Sequence, residues 1–112
     1  MSLALPLVRF LVYMALHMIG DFPFQSPWMI QGKETSWEVL VYHCMTYTAM
    51  FVLGLLHPEL ASHITVQGLA LIFVSHILID AAKARWKWIK QIWVDQLLHF
   101  SMIALAILLG WM

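Results

Sequence analysis

Apolar residues run through the chain in four long blocks, separated by short polar connections. Each block approaches the ~20 residues that an α-helix needs to cross ~30 Å of hydrocarbon. A helix satisfies its own backbone hydrogen bonds in lipid, whereas four strands could not close a transmembrane barrel. The pattern predicts an all-α integral membrane bundle of four transmembrane helices, in a single transmembrane domain covering residues 1–112. The predicted helices are residues 3–20, 37–56, 64–82 and 92–112.

The composition agrees with lipid as the solvent of this chain. Its 112 residues are 62% hydrophobic and 11% charged, and the mean hydropathy is +0.82. A soluble domain is about half apolar and about one quarter charged. The formal net charge is zero, so we expect no nucleic acid as a partner. The single cysteine, Cys44, excludes an internal disulfide framework and a cysteine-rich metal site.

The basic residues are distributed unevenly among the connections, and this predicts an orientation. Lysine and arginine are concentrated in residues 83–91, and Lys33 lies in residues 21–36, whereas the connection between these two has neither. Positively charged connections usually remain in the cytoplasm. Residues 21–36 and 83–91 are therefore predicted to be cytoplasmic, with both termini on the opposite side. Arg9, near the N-terminus, counts slightly against this orientation.

Histidine and aspartate residues within the apolar blocks share one predicted depth. They occur four residues apart in HMIGD (17–21), in HILID (76–80) and, reversed, in DQLLH (95–99), and His43 lies at a similar depth in the second block. Residues four apart project from one face of a helix. With a rise of ~1.5 Å per residue, the seven side chains fall in a band about 10–15 Å deep. We expect a cluster of imidazoles and carboxylates near the cytoplasmic end of the bundle.

Such a cluster needs compensation, because charged groups inside a membrane are costly and usually mark a function. A divalent metal, Zn, Mn or Fe, would supply it, since imidazole and carboxylate are suitable ligands for these ions. Helical bundles build metal sites from side chains on facing helices. A hydrogen-bonded packing cluster without metal is the alternative. The predicted metal ligands are His17, His43, His76, Asp80 and His99.

Further residues near the cluster have candidate roles in catalysis. A spare aspartate, Asp21 or Asp95, would act as a general base, and Lys83 or Lys33 would hold an anionic head group. For both lysines, anchoring at the membrane surface is the alternative. Tyr47, one turn beyond His43, is interpreted as a packing residue, with orientation of a ligand or donation of a proton as the alternative. The predicted catalytic residues are Asp21, Asp95 and Lys83.

Four segments, HMIGDFPFQ, LVYHCMTY, SHILIDAAK and DQLLHF, resemble in this order a family of small bacterial and phage membrane proteins called domain of unknown function 3307. The resemblance extends over most of the chain. It implies a location in a bacterial inner membrane and a site at the matching positions, but no substrate. These positions are His17, Asp21, Gln25, Lys33, His43, His76, Asp80, Lys83, Asp95, Gln96 and His99.

The sequence supports three hypotheses about function. The first is a small membrane protein whose intrabundle metal site hydrolyses a lipid-phosphate-type substrate at the cytoplasmic face, with a membrane-embedded peptide bond as the alternative substrate. The second is a non-catalytic accessory or structural subunit of a larger membrane complex. The third, a proton or metal-ion carrier, ranks last because the ionisable groups do not line a path across the bilayer. Expected partners are membrane lipids and either further copies of the chain or a larger membrane complex.

Overall fold

The computed structural model describes residues 2–112, and within this range the chain is helical and contains no β-strand. About 74% of the chain is helical, which confirms the all-α prediction. The assignment of residues 1–112 to one domain stays a prediction. The helices are α1 (Pro6–Asp21), α2 (Pro27–Gly32), α3 (Trp37–Leu53), α4 (Pro58–Ala61), α5 (Val66–Ala84) and α6 (Ile92–Leu108), with a 3₁₀ turn at Gly54–Leu56.

Two helical segments are long and apolar enough to cross a membrane, Trp37–Leu56 and Val66–Ala84. The prediction of four transmembrane helices is therefore wrong, because α1 has 16 residues and α6 has 17. At ~1.5 Å per residue these two helices reach only about 24–26 Å. Pro6 stands at the start of α1, a position that proline favours. Beyond α6, Gly110 adopts a φ of 74°, which is incompatible with a continuing helix.

Four long helices form a ring in which each one packs against two others. The packed pairs are α1 with α3, α3 with α5, α5 with α6, and α6 with α1. The short connections make successive helices antiparallel. The C-terminal halves of α1 and α5 consequently lie beside the N-terminal halves of α3 and α6. This arrangement brings the four histidine- and aspartate-bearing segments to one end of the bundle.

The opposite end of the bundle interior is an apolar core. Its fully buried side chains include Tyr13, Phe51, Ile72 and Ile103. Arg9 closes this end, because its Nε donates to the carbonyl oxygen of Met112 at 3.1 Å and its Nη1 donates to backbone carbonyls of the preceding turn. The bundle interior is thus divided into an apolar half and a polar half.

The outer surface of the bundle carries many large apolar side chains. Leu7, Leu56, Val66, Trp88 and Leu108 are among the most exposed of them. Soluble proteins rarely expose contiguous apolar patches larger than a few hundred Å². An apolar exterior around a partly polar interior is the arrangement that a lipid solvent favours.

Candidate metal centre

Four helices contribute the polar end of the bundle. α1 supplies His17 and Asp21 at its C-terminal end, and α3 supplies His43 in its second turn. α5 and α6 each supply an aspartate and a histidine four residues apart. All of these side chains are buried, with at most 2% of their surface exposed. The cluster members are His17, Asp21, His43, His76, Asp80, Asp95 and His99.

A first group of ligand atoms comes from Asp21, His43, His76 and Asp80. The Nε2 atom of His43 lies 3.0 Å from Nε2 of His76, 3.0 Å from Oδ2 of Asp80 and 3.3 Å from Oδ1 of Asp21. The Nε2 atom of His76 lies 3.5 and 3.6 Å from the same two oxygens. Ligands ~2.1 Å from a tetrahedral metal are separated by about 3.4 Å. These five separations therefore match a metal-binding site.

A second group consists of Asp21, Asp95 and His99, and it shares Asp21 with the first. The Nε2 atom of His99 lies 3.4 Å from Oδ1 of Asp95 and 3.5 Å from Oδ1 of Asp80. Within each group the candidate ligand atoms lie no more than 4.8 Å apart. Both groups are completely buried and could hold a metal ion.

Several atoms of the cluster have no hydrogen-bond partner among residues 2–112. They include Oδ1 of Asp21, Asp80 and Asp95 and Nε2 of His99. Buried polar atoms are almost always hydrogen-bonded, because leaving one unpaired costs free energy. A bound cation would give these unpartnered oxygen and nitrogen atoms a common partner, because their lone pairs can coordinate it. Nδ1 of His43 and Nδ1 of His76 are also unpartnered, and they face away from the first group of ligand atoms.

Aromatic stacking fixes the orientation of the His76 ring. It stacks on Tyr47 at a centroid separation of 3.8 Å and on His99 at 4.4 Å. A ring with two such aromatic contacts has little rotational freedom. The stack therefore directs Nε2 of His76 toward the first group of ligand atoms.

His17 lies beside the two groups rather than within them. Its Nδ1 is 2.6 Å from the hydroxyl of Tyr47, and its Nε2 is 2.7 Å from Oε1 of Gln96. Because an amide oxygen only accepts, Nε2 carries the proton and Nδ1 accepts from Tyr47. The nearest oxygen of Asp21 is 3.7 Å away. Both ring nitrogens of His17 are thus already hydrogen-bonded, and His17 belongs to neither group of ligand atoms. The role of His17 as a metal ligand stays a prediction.

Gln96 extends this hydrogen-bond chain to the carboxylates. Its Nε2 donates to Oδ2 of Asp21 at 3.2 Å and to Oδ2 of Asp95 at 3.0 Å. Both aspartates consequently use Oδ2 for Gln96 and turn Oδ1 toward the cluster. Partners of this kind orient metal ligands and strengthen metal binding. Tyr47, predicted from the sequence to be a packing residue, also holds His17 through its hydroxyl. Its position one turn beyond His43 is the only sequence signal for this contact.

Two lysines form ion pairs with the outer side of the cluster. The Nζ atom of Lys33 lies 3.1 Å from Oδ2 of Asp80 and 2.6 Å from Oε1 of Gln25. The Nζ atom of Lys83 lies 3.2 Å from Oδ2 of Asp95. Lys33 is buried, whereas the side chain of Lys83 is 29% exposed. The lysines thus separate the buried carboxylates from the outside of the bundle.

A cavity of about 270 Å³ opens directly outside these lysines. Its polar lining consists of three lysines, one amide and one carboxylate, namely Lys33, Lys83, Lys87, Gln25 and Glu34, and Phe22, Ile30 and Ile92 contribute apolar walls. An anion in this cavity would contact ammonium groups that also touch the cluster.

His57 and His63 belong to the connection at the other end of the bundle, outside both groups of ligand atoms.

Comparisons with known proteins add a family to this description. No curated protein and no solved structure matches the chain. The family model described as protein of unknown function (DUF3307) matches residues 9–112, nearly the whole chain, and confirms the resemblance seen in the sequence motifs. The chain therefore belongs to the DUF3307 family.

Proposed function

We propose that the chain is a membrane protein that binds a divalent metal in its buried cluster and hydrolyses a lipid-phosphate-type substrate. The observation that carries this proposal is the set of five separations of 3.0–3.6 Å among four ligand atoms. Zn²⁺, Mn²⁺ and Fe²⁺ all accept imidazole and carboxylate ligands. Three buried carboxylates face two lysines, so the cluster without a metal carries one uncompensated negative charge.

The chemistry suits hydrolysis at neutral pH. A bound divalent metal lowers the pKa of a coordinated water from ~15.7 to near 7. Asp21 and Asp95 each have an unpartnered Oδ1 facing the cluster, and such an oxygen can bind a metal or accept a proton. The hydrogen bonds from Gln96 hold both carboxylates in place. The stacked ring of His76 adds a fixed imidazole on the other side.

The cavity supports an anionic substrate with an apolar portion. Lys33 and Lys83 would contact the phosphate, and Phe22, Ile30 and Ile92 would contact the apolar part. Each lysine is within 3.2 Å of a cluster carboxylate, so a phosphate bound to both would lie next to the metal. A membrane-embedded peptide bond has no negative charge for these lysines to bind.

Membrane insertion is part of the same proposal. The two membrane-length helices and the apolar exterior support it. α1 and α6 are shorter than a full membrane span. A bundle that contains them would thin the bilayer locally or lie partly in its interface. Either arrangement places the polar end near the head groups. We propose the inner membrane of a bacterium, with residues 21–36 and 83–91 on the cytoplasmic side.

Metal content is the first test. The protein would be purified in mild detergent without added metal, and Zn, Mn and Fe per chain would be measured for the wild type, His76→Ala and His99→Ala. We expect at least one metal ion per chain in the wild type and less metal than in the wild type in both variants. His57→Ala, at the exposed opposite connection, is the matched control. A wild type without metal after reconstitution, with all variants folded, would exclude the metal-dependent function.

Substrate class is tested by phosphate release from lipid phosphates in detergent micelles. We expect Lys83→Met to raise KM about tenfold, equivalent to ~1.4 kcal/mol of binding, with metal content retained. Lys90→Met is the matched control, because Lys90 lies in the connection that follows α5 and is not among the residues lining the cavity. An equal effect of both substitutions would remove the cavity from the proposal.

A non-catalytic subunit of a larger membrane complex is the second candidate function. Two ion pairs, Lys33 with Asp80 and Lys83 with Asp95, already neutralise part of the cluster without a metal. A purely structural core would be built in this way. In that case His76→Ala would prevent accumulation of the protein in the membrane, and gentle extraction would recover further proteins bound to the chain.

A further inference from the structure

We infer that the centre holds two metal ions bridged by carboxylates, an inference that rests on the metal binding proposed above. The first ion lies among His43, His76, Asp21 and Asp80, and the second lies beside His99 and Asp95. The two groups of ligand atoms have different histidines and share Asp21. Two-metal sites that hydrolyse phosphate esters have ions ~3.5–4 Å apart.

The carboxylate of Asp80 has the orientation of a bridge. Its Oδ2 faces the first group, at 3.0 Å from Nε2 of His43 and 3.5 Å from Nε2 of His76. Its Oδ1 faces the second group, at 3.5 Å from Nε2 of His99. Each oxygen thus faces a different set of imidazoles. A single ion in the first group would use one oxygen of Asp80 and leave the other without a partner.

The second group has its own unsatisfied ligand atoms. Nε2 of His99 and Oδ1 of Asp95 are buried and lack a hydrogen-bond partner among the described residues. Lys83 and Gln96 both donate to Oδ2 of Asp95, so Oδ1 is left facing His99 at 3.4 Å. An ion in the first group cannot satisfy these atoms. A second ion beside them would.

The two positions differ in ligand number. The first offers two imidazoles and two carboxylates, which fill a tetrahedral site. The second offers one imidazole with carboxylates, two of them shared with the first position. Fewer unshared ligands predict weaker binding of the second ion, with coordination positions left for water and substrate. On this assignment Asp95 is a metal ligand rather than a general base.

Charge predicts a link between the second ion and an anion. Two divalent ions, Lys33 and Lys83 together carry six positive charges. The three carboxylates neutralise three of them, so the site would keep an excess of three positive charges. Uncompensated charge in a buried site is costly. A phosphate in the cavity would offset most of this excess. Inorganic phosphate should therefore increase occupancy of the second position more than that of the first.

The test measures ion number and ion coupling in the full-length protein. The chain is stripped with chelator in mild detergent and reloaded with Mn²⁺, and metal per chain is measured with the electron paramagnetic resonance spectrum. We expect about two ions per chain in the wild type, with the spectrum of an exchange-coupled pair. His99→Ala should hold one ion with the spectrum of an isolated Mn²⁺. His57→Ala, the control, should match the wild type.

The outcomes separate the two proposals. One ion per wild-type chain, with the spectrum of an isolated ion, would overturn the two-metal inference and leave the metal-dependent function standing. Two ions without coupling would overturn the carboxylate bridge. No ion in the wild type would overturn both proposals. The wild-type spectrum decides the question even if a variant fails to fold, and helicity and elution volume identify such a variant.

Discussion

Replacing Gln96 with leucine is the sharpest test of how the cluster is organised. The side chain makes three hydrogen bonds, one from Nε2 of His17 and two to Oδ2 atoms of Asp21 and Asp95. Leucine has a similar volume but neither donates nor accepts. The substitution therefore leaves Oδ2 of Asp21 without its donor and Oδ2 of Asp95 with Lys83 alone. It also leaves the N–H of His17 without its acceptor, while the ligand atoms themselves stay in the chain.

The magnitude follows from what these bonds do. Loss of a partner that orients metal ligands typically lowers metal affinity ~10–100-fold, or about 1.4–2.7 kcal/mol. The unpaired N–H of His17 would reduce the free energy of unfolding of the metal-free protein by about 1–3 kcal/mol. Both quantities should fall in Gln96→Leu. A metal ligand variant such as His43→Ala should lose far more affinity, because it removes a donor atom.

The assay is competition for Zn²⁺ between the detergent-solubilised protein and a chelator of known affinity. Thermal unfolding of the metal-free protein is followed in parallel by circular dichroism. Gln67→Leu is the matched control, because Gln67 is exposed on α5 at the other end of the bundle. If Gln96→Leu bound Zn²⁺ as tightly as the control, the hydrogen-bond chain would not orient the ligands, and the reasoning would be refuted.

Three further predictions separate the site from the fold. Tyr47→Phe removes the hydroxyl bonded to His17 but keeps the stacked ring, so we expect a loss of about 0.5–1.5 kcal/mol in unfolding free energy, measured by thermal denaturation; no loss would contradict the bond. Gly68→Ala places a methyl group against the backbone oxygen of Trp111 and should cost about 1–3 kcal/mol with metal content unchanged; a loss of metal would contradict this separation. Chelator should lower the wild-type melting temperature, as expected for loss of a ligand that contributes ~2.7 kcal/mol at 100 times its Kd, but not that of His76→Ala; equal shifts in both would contradict site-specific binding.

Local spacing made much of this site predictable from the sequence. Histidine and aspartate four residues apart share a helix face whatever surrounds the helix, and antiparallel packing then brings the three pairs together. The hydrogen-bond chain was not predictable in the same way. His17 contacts residues 30 and 79 positions away, and periodicity within one helix carries no information on such lateral contacts. Helix length was also misjudged, because apolar composition continued past the points where Pro6 and Gly110 set the ends.

The cluster also joins every pair of neighbouring helices in the ring. Asp21 with His43 joins α1 to α3, and His43 with Asp80 joins α3 to α5.

Asp80 with His99 joins α5 to α6, and Gln96 with His17 joins α6 to α1. In the membrane location proposed above, helices would gain no hydrophobic driving force from association, so packing and polar contacts between them would hold the bundle together. The polar end would then fix the geometry of the bundle as well as that of the ligands. Ions held in the two groups of ligand atoms would together contact all four helices and so stabilise the folded bundle, and helix displacement would in turn open the site.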